Sequence, residues 1–442
     1  MSGMKDSGVE WIGEIPEGWG TVKLGPRLYM KGRIGWQGLR FDDFVDEGPY
    51  LVTGTDFCNG RVDWSRCYHI DGEKYAQDPA IHLRSGDLLF TKDGTVGKLA
   101  YINELPGPAS LNSHLLVLRP QDEGVNNRYL FWLLQSPVFD RYKLLVQHGS
   151  VMDSISQADM AHFIIPAPGV SEQAAIADYL DASVGENDSA IRAVEAQVST
   201  LERYRASVIH EAVTRGLDPT APTKPSGVDW IGDIPQGWES RPLGCLGTFQ
   251  NGISKDGASF GSGYPFVSYG DAYNNRVLPV IPSGLVQSTP EERYRYSVRF
   301  GDILFTRTSE TIDEIAYAST CLETIENATF AGFLIRFRPS GEQLDPRFGS
   351  FYFRSSHLRK YFSREMVIVT RASLGQQLLK RLPVLIPPLT EQAAIADYLD
   401  ARTAAIDAVI VTKRQQLDVL KRQRQSLIYE YVTGKRRVAQ EG

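Results

Sequence analysis

The eleven residues EQAAIADYLDA occur twice in the chain, at positions 172–182 and again at 391–401. Two related stretches, SGVEWIGEIPEGW at 7–19 and SGVDWIGDIPQGW at 226–238, are separated by the same offset of 219 residues (226 − 7). Because the chain has 442 residues, two units of this length account for nearly all of it. An internal repeat on this scale predicts two structural units of one design.

Each copy of EQAAIADYLDA opens a long segment that contains no proline, 169–218 in the first unit and 389–442 in the second. Apolar residues in both segments recur at alternating spacings of three and four, the pattern of helices that pack along a seam. The predicted seam residues are Ile191, Val194, Val198, Leu201, Val208, Ile406, Ile410, Leu417, Leu420 and Leu427. We expect the two helices to pair as an antiparallel coiled coil. The alternative is that each helix packs on its own globular domain.

The residues before each helix have a different pattern. Short apolar runs such as LLVLRP and FLIRFRP alternate there with glycine and proline, which is typical of short strands joined by turns. The predicted fold class is α+β, with two α+β domains, two long helices and an approximate two-fold relation. The predicted segments are a first domain at 1–170, a helix at 171–217, a linker at 218–225, a second domain at 226–389 and a helix at 390–436.

The repeated leader at 7–19 and 226–238 carries two tryptophans on either side of a turn. We interpret Trp11, Trp19, Trp230 and Trp238 as packing anchors rather than base-stacking platforms. The second leader follows the first helix directly. In a two-fold arrangement the first leader therefore lies just beyond the end of the second helix, and the two chain ends lie near each other.

Composition excludes several classes of protein. The net charge is −6 and the apolar content is 42%, which is typical of a folded chain rather than a disordered one. The sequence has neither an apolar run long enough for a membrane span nor the pattern of a signal peptide. The four cysteines have no metal-binding spacing, so we expect a cytoplasmic protein without a metal site.

Motifs for catalysis are missing from the sequence. It contains neither HExxH nor GxSxG. The stretch GTVGK at 94–98 is not a phosphate loop, because Lys92 stands where that motif has its first glycine and Leu99 where it has serine or threonine. We therefore predict no catalytic residues, and a binding function becomes the better interpretation.

Basic residues lie in the turn-rich parts of both domains. In GDLLFTKDG (86–94) and GDILFTRTS (301–309), Lys92 and Arg307 follow equivalent strands. Basic and hydroxyl side chains beyond a strand end suit contacts with DNA phosphates and base edges. The predicted DNA-binding residues are Arg61, Arg66, Thr91, Lys92, Lys98, Ser150, Arg276, Arg293, Thr306, Arg307, Arg371 and Ser373. Any one of them alone could be a solvated surface charge. It is the pair of divergent, arginine-bearing domains on a symmetric frame that favours DNA.

Taken together, the leaders, GDLLFTKDGTVGKLA with its twin GDILFTRTS, and the two helix starts SEQAAIADYLDA and TEQAAIADYLDA resemble the specificity subunit of type I restriction-modification systems. The resemblance covers essentially the whole chain. It implies two target-recognition domains that each read one half of a split, asymmetric DNA site, and a coiled-coil spacer between them. The second copy departs from the pattern, because RTSETIDEIA replaces KDGTVGKLA and lacks its pair of glycines.

The resemblance also implies partners and cofactors. The partners are double-stranded DNA, two modification (methyltransferase) subunits and restriction (translocase/nuclease) subunits. S-adenosylmethionine, ATP and Mg are expected in those partners, so this chain would be non-catalytic and hold no cofactor. A helix of ~40 residues is ~60 Å long, which limits the DNA footprint to roughly 18 base pairs. The alternative function is a coiled-coil adaptor whose globular domains bind protein.

Overall fold

The computed structural model describes residues 3–33, 39–40, 43–146, 154–309, 315–365 and 372–438, with the backbone alone at 309 and 372–373. The chain divides into two compact units, one made of residues 1–195 with 415–442 and the other of residues 196–414. Unit 1 is thus assembled from two separate stretches of chain, whereas unit 2 is continuous. In the described part of the chain, no helix is long and apolar enough to cross a membrane.

Unit 1 contains short strands and short helices that precede one long helix. Its strands are β1 Met4–Asp6, β2 Glu14–Pro16, β3 Gly20–Lys23, β4 Leu28–Lys31, β5 Phe44–Val52, β6 Phe57–Cys58, β7 Arg61–Val62, β8 Tyr68–Ile70, β9 Leu88–Thr91, β10 Leu99–Tyr101, β11 Ala109–Leu111, β12 Leu115–Pro120 and β13 Ile164–Ala167. Its helices are α1 Gly72–Ala76, α2 Asn127–Leu133, α3 Pro137–Val146, α4 Gln157–His162 and the first part of α5 Val170–Arg215.

Unit 2 has a similar plan with different short elements, and it also includes the last part of α5, as unit 1 includes the last part of the helix Leu389–Val432. Its strands are β14 Thr223–Pro225, β15 Asp233–Pro235, β16 Glu239–Pro242, β17 Gly247–Asn251, β18 Phe260–Val267, β19 Gly284–Val286, β20 Ile303–Thr306, β21 Thr308–Ser309, β22 Ala318–Thr320, β23 Thr329–Phe330, β24 Leu334–Pro339, β25 Ala372–Ser373 and β26 Pro383–Ile386. Its helices are α6 Tyr269–Asn274, α7 Pro290–Arg295, α8 Pro346–Tyr352, α9 Leu358–Glu365, α10 Gln376–Arg381 and the first part of α11 Leu389–Val432.

The two units share one sheet topology. In unit 1 the four-stranded antiparallel sheet has the order β10-β9-β12-β4, and unit 2 has the matching order β22-β20-β24-β17. A smaller sheet accompanies each of them, β11-β5-β8 and β23-β18-β19, with one parallel and one antiparallel pairing. The α+β class predicted from the sequence is confirmed, and the two domains are copies of one fold.

The repeated EQAAIADYLDA attaches each domain to the helix that follows it. Gln173 is almost completely buried, accepts a hydrogen bond from the amide of Asn126 (2.8 Å) and donates to the carbonyls of Gly124 (3.1 Å) and Pro168 (3.0 Å). All polar atoms of this amide are therefore used to fix the start of α5. The apolar residues Ile176 and Leu180 of the same motif lie in the core of unit 1.

Unit 2 repeats these contacts with the second copy of the motif. Gln392 accepts from the amide of Asp345 (2.8 Å) and donates to the carbonyls of Gln343 (3.0 Å) and Pro387 (2.8 Å). Its side chain is fully buried. The identity of the two motifs is thus explained by identical internal bonding, which any substitution at this glutamine would break.

Aspartates of the same motif bind one arginine in each domain. Arg347 of α8 contacts Asp397 (2.7 Å) and Asp400 (2.8 Å). In unit 1 the equivalent Arg128 pairs with Asp178 and Asp181. These arginines lie on the first helix after the main sheet, so the ion pairs connect each domain to the first turns of its long helix.

Within unit 1, the segments of α5 and α11 run antiparallel and are joined by ion pairs. Asp188 of α5 accepts from Arg424 of α11 at 2.7 Å, and Glu195 lies 3.2 Å from Lys421. The residue numbers of the partners on α11 therefore fall as those on α5 rise. This order is the mark of an antiparallel pair.

Within unit 2, the remaining segments of the same two helices show the same order. Glu202 pairs with Arg414 at 2.8 Å, and Arg205 pairs with Asp407 at 2.8 Å. The predicted seam residues are buried or half-buried in both units, whereas most of their neighbours along the helices are exposed. The helix ends also enter the domain cores, so each helix packs on its partner helix and on the domains as well.

The tryptophan leaders close each unit at the end of a long helix. A Cβ atom at Gly434, just after α11, would lie 2.5 Å from Pro16 and 2.9 Å from Trp19. The equivalent Gly216 after α5 approaches Trp238 in the same way. Both glycines have a positive φ, which glycine adopts without strain. Trp19 and Trp238 are buried, so their predicted role as packing anchors is confirmed, and the first leader lies against the end of α11 as the repeat predicts.

A buried histidine in unit 2 makes that unit sensitive to acid. Burial lowers the pKa of His357 to about 3, and the nearby cations His210, Arg359 and Lys360 act in the same direction. The ordinary pKa of the side chain is 6.5. Between pH 6.5 and pH 3 the unfolded chain therefore binds a proton that the folded chain does not. At pH 5 we expect a loss of about 2 kcal/mol of stability relative to neutral pH.

Hydrogen exchange of the unit 2 core amides at pH 5 and pH 7, corrected for intrinsic exchange rates, measures this loss. The matched variant is His357→Phe, because phenylalanine keeps the ring among Trp230 and Tyr352 and binds no proton. Its stability should change less with pH than that of the parent chain. Equal pH dependence of the two proteins would contradict the prediction.

Candidate nucleic-acid interface

The repeated GD at the start of β9 and β20 forms a buried ion pair in each unit. In unit 1, Asp87 accepts from both Nε and Nη2 of Arg119 at 2.7 Å, and from the backbone amide of Arg84 at 2.7 Å. The hydrogen bond to Asp87 raises the pKa of Arg119. The preceding Gly86 has φ of +88°, a conformation that favours glycine. The GD pair is thus structural, and it fixes where the strand begins.

In unit 2 the same arrangement holds β20. Asp302 is fully buried and accepts from Nε and Nη2 of Arg338 at 2.6 Å, and from the amide of Arg299 at 2.7 Å. The strand that follows is entirely buried in both units. Each strand therefore fixes the position of the residues that directly follow it at the edge of the domain.

The threonine that ends each strand is used inside the protein. The hydroxyl of Thr91 donates to the carbonyl of Thr95 (2.5 Å) and accepts from the amide of Lys98 (2.9 Å). Thr306 is fully buried, and its hydroxyl accepts from the amide of Tyr317 (2.9 Å). Both threonines close the loop after the strand, although the sequence suggested that they contact DNA directly.

Lys92 and Lys98 lie at the two ends of this loop in unit 1. Lys92 is half-buried, and its amine lies 3.4 Å from the carboxylate of Asp93, whereas Lys98 is exposed. Lys92 and Asp93 line a cavity of about 390 Å³ that also includes Arg33 and Ser154. In this loop Lys98 is therefore exposed, whereas Lys92 is already paired with the neighbouring carboxylate of Asp93.

Arg33 is a basic residue of this region that the sequence analysis did not select. It is only 4% exposed, and its guanidinium donates to the carbonyl of Leu111 (3.0 Å) and the hydroxyl of Ser110 (3.3 Å). Desolvation lowers its pKa, while Asp78 and Asp43 oppose this effect. This buried arginine lies just beyond the end of β4, and no local sequence signal separates it from a surface arginine.

Arg61 and Arg66 lie in another part of unit 1. Both are exposed, Arg61 in β7 and Arg66 at the end of the short helical turn Trp64–Arg66. Arg61 lines a cavity of about 930 Å³ beside α5, together with Arg128 and Trp132. The structure therefore does not bring Arg61 into the cavity that Lys92 lines.

Arg276 of unit 2 is engaged by α11. It donates to Asp400 (3.2 Å) and to the hydroxyl of Ser350, and its guanidinium stacks 3.8 Å from the ring centre of Phe351. Burial lowers its pKa, whereas Asp400 raises it. Arg276 lies beside the long helix and lines a cavity together with Tyr317, which ends the loop after β20.

The remaining predicted residues differ in their surroundings. Arg293 stacks 3.7 Å from the ring centre of Tyr264 and is half-buried. Arg307 directly follows β20, and its backbone bonds to Phe333 (2.9 Å) and to the amide of Leu374 (2.7 Å). Ser373 is described by its backbone, which pairs with Thr308 in the β21–β25 ladder. Ser150 and Arg371 lie outside the described residues.

The two domains therefore share their internal bonding and differ in the residues that they display. The strand, its Asp–Arg pair and the loop-closing threonine are common to both units. The residues after the threonine are Lys92 and an exposed Lys98 in unit 1, but Arg307 in unit 2. Such a frame can present different contacts from equivalent positions.

Comparison with known proteins points to the same family that the sequence motifs resemble. The family model described as type I restriction modification DNA specificity domain matches residues 36–196 and 235–419. A putative type I restriction enzyme MjaX specificity subunit from Methanocaldococcus jannaschii is 26% identical, over 97% of this chain and 96% of its own length. The type I restriction enzyme StySPI specificity subunit of Salmonella potsdam is 23% identical, over 90% of this chain and 84% of its own.

The fold is also found among solved structures. A chain from a study of complex assembly and conformational transition of the type I R-M system superposes with a TM-score of 0.69 at 18% identity, covering 96% of this chain and 99% of that one. The family model covers most of the chain in two copies, and each copy falls on one of the repeats that the sequence revealed. The chain therefore belongs to the family of type I restriction-modification specificity subunits.

Proposed function

We propose that this chain is the sequence-specific DNA-binding subunit of a type I restriction-modification complex and reads a bipartite, asymmetric site. The observation that carries the proposal is the contrast between two domains with the same sheet order and different residues after the same strand. A repeated frame with unlike loops suits two unlike half-sites. One recognition domain would read each half-site.

Within this proposal, the exposed basic residues are the ones that contact DNA. In unit 1 these are Lys98, Arg61 and Arg66, whereas unit 2 offers Arg293 and Arg307, which are half-buried. Arginine and lysine supply phosphate contacts and, where geometry allows, bidentate contacts with guanine. Thr91 and Thr306 support these contacts indirectly, because they hold the loop in shape.

The proposed partners are double-stranded DNA, two modification subunits and the restriction subunits, in the cytoplasm. S-adenosylmethionine, ATP and Mg would be used by those subunits. This chain would then direct adenine methylation and cleavage without catalysing either reaction. The paired helices would act as the ruler that sets the number of unread base pairs between the half-sites.

Insertion of one helical turn into both long helices tests the ruler. At ~1.5 Å per residue, four residues add ~6 Å, or about two base pairs at ~3.4 Å each. Genome-wide mapping of methylated adenines should then show the same half-sites with a longer spacer. A matched insertion into the linker at 218–225 should leave the spacer unchanged. If the helix insertions also leave it unchanged, the ruler is wrong.

The alternative is a coiled-coil adaptor whose domains bind protein. It is favoured by the net charge of −6 and by apolar side chains on the surface, such as Ile281, which is 86% exposed. Salt separates the two functions, because each phosphate contact releases counterions. DNA binding through six or more contacts should weaken by about 10³-fold between 50 and 200 mM salt. Affinity that does not depend on salt or DNA would favour the adaptor.

A further inference from the structure

A cavity of about 440 Å³ lies between α5 and the globular part of unit 2. Helix α5 contributes Arg205 to its wall, and the domain contributes Arg276, Arg354 and Arg359, together with the rings of Tyr317 and Phe351. The lining, all of which falls within the described residues, includes no aspartate or glutamate. We call this space the arginine cavity.

Carboxylates near the arginine cavity compensate only part of its charge. Arg205 pairs with Asp407 at 2.8 Å. Arg276 pairs with Asp400 at 3.2 Å, but Asp400 is shared with Arg347, which lies closer at 2.8 Å. Arg347 is also bound by Asp397 at 2.7 Å, so these carboxylates balance Arg205, Arg276 and Arg347, and none of them is left to balance Arg354 on the cavity wall.

Arg354 adds a cation that is held by neutral groups. Its guanidinium donates to the carbonyls of Ala272 (3.1 Å), Asn275 (3.0 Å) and Ala318 (3.1 Å), and in the described part of the chain no carboxylate contacts it. Burial lowers the pKa of Arg354, and the charge of Arg276 acts in the same direction. Carbonyl dipoles fix the position of this charge without neutralising it.

The equivalent space in unit 1 differs in charge. It is larger, about 930 Å³, and its lining includes Glu104 as well as Asp181 and Asp188, which are the counterparts of Asp400 and Asp407 in the repeat (400 − 219 and 407 − 219). Gln135 lies there at the position that Arg354 takes in unit 2 (354 − 219). The excess of positive charge is therefore specific to the second unit, and it is not a by-product of the shared frame.

We propose that the arginine cavity of unit 2 is a binding site for a phosphate group. The positive charges of Arg205, Arg276 and Arg354 converge on this space, and arginine is a charge-assisted donor to phosphate oxygens. The site rests on the proposed function and adds to it a contact that does not involve Lys92, Lys98 or Arg307, although Tyr317 on its wall belongs to the loop after β20. The phosphate comes either from the DNA backbone or from a small phosphate-bearing molecule, and the chemistry of recognition is the same for both.

Ser356 allows a test that leaves the arginines and their packing intact. It lies on the cavity wall and is exposed. In Ser356→Asp a negative charge enters the mouth of the cavity, whereas Ser356→Asn has nearly the same size and no charge. The probe is inorganic phosphate, titrated into the full-length chain at constant ionic strength against chloride, with the thermal midpoint as readout.

Phosphate should raise the midpoint of the parent chain and of Ser356→Asn. In Ser356→Asp its apparent affinity should fall at least about fivefold, because two like charges within several ångströms repel strongly in a partly desolvated site. Equal phosphate affinity in the two variants would overturn the proposal. So would stabilisation by phosphate that does not exceed that by chloride.

Duplex DNA distinguishes the two sources of the phosphate. If the DNA backbone enters the cavity, Ser356→Asp weakens DNA binding relative to Ser356→Asn, and inorganic phosphate competes with DNA. If the ligand is a free molecule, both variants bind DNA equally while their phosphate affinities differ. If the parent chain binds DNA but does not bind inorganic phosphate, the phosphate site is wrong while the proposed function stands.

Discussion

Replacing Asp302 with leucine is expected to lower the free energy of unfolding of unit 2 by about 3–5 kcal/mol. Asp302 is fully buried and binds the guanidinium of Arg338 through two hydrogen bonds of 2.6 Å. Its removal leaves a largely buried cation without its counter-charge, and the amide of Arg299 loses its acceptor. Native-state hydrogen exchange of the β20 amides measures the loss, with the amides of β9 in unit 1 as an internal reference.

Two further variants separate charge burial from general damage. In the double variant Asp302→Leu with Arg338→Met, no unpaired charge remains, so a good part of the loss should be recovered. Asp122→Ala removes the exposed partner of Arg27, a pair in which both side chains are more than 40% exposed, and should cost less than about 1 kcal/mol. A double variant as unstable as the single one would show that the ion pair is not the cause.

Replacing Gln392 with leucine is expected to destabilise unit 2 by about 3 kcal/mol. Leucine has a similar size, but it removes the partner of the Asp345 amide and of the Gln343 and Pro387 carbonyls, in surroundings that are buried or half-buried. Each such group costs about 1–3 kcal/mol. Because these bonds join the domain to α11, we expect faster proteolysis of the segment between β26 and the helix as well as a lower unfolding free energy.

The repeat supplies a matched pair of controls for this variant. Gln173→Leu removes the equivalent three bonds in unit 1 and should cause a similar loss there. Gln423→Leu changes an exposed glutamine of α11 and should alter stability by less than about 0.5 kcal/mol. If Gln392→Leu were as mild as Gln423→Leu, the bonds of the motif would not explain its repetition.

The fold was predictable because its signals are periodic or repeated. The spacing of Ile406 and Ile410 marks a buried helix face, and both are about 5% exposed in the structure. The offset of 219 residues between equivalent motifs predicted two copies of one domain, and the sheet orders agree. Such patterns depend on local geometry, which is why a single sequence carries them.

The candidate site was less predictable, because its side chains are engaged by residues that are distant in the sequence. Arg276 follows a turn as a surface arginine would, but its partner Asp400 lies 124 residues away. Thr91 looks available beyond a strand end, whereas its hydroxyl closes a loop with Thr95 and Lys98. Arg33 is buried by contacts with β11, and no short sequence motif predicts these contacts. Pairing between residues that are far apart in the chain produces no periodic pattern in the sequence.

The division of unit 1 between the two ends of the chain has a consequence for its synthesis on the ribosome. The core of unit 1 includes Ile428, Tyr431 and Val432, which are translated after the whole of unit 2, whereas unit 2 is complete once residue 414 has emerged. Nascent chains fold from whatever segments are already available. Unit 2 can therefore finish folding before unit 1, whose apolar core stays partly uncovered until residues 428–432 have also been translated.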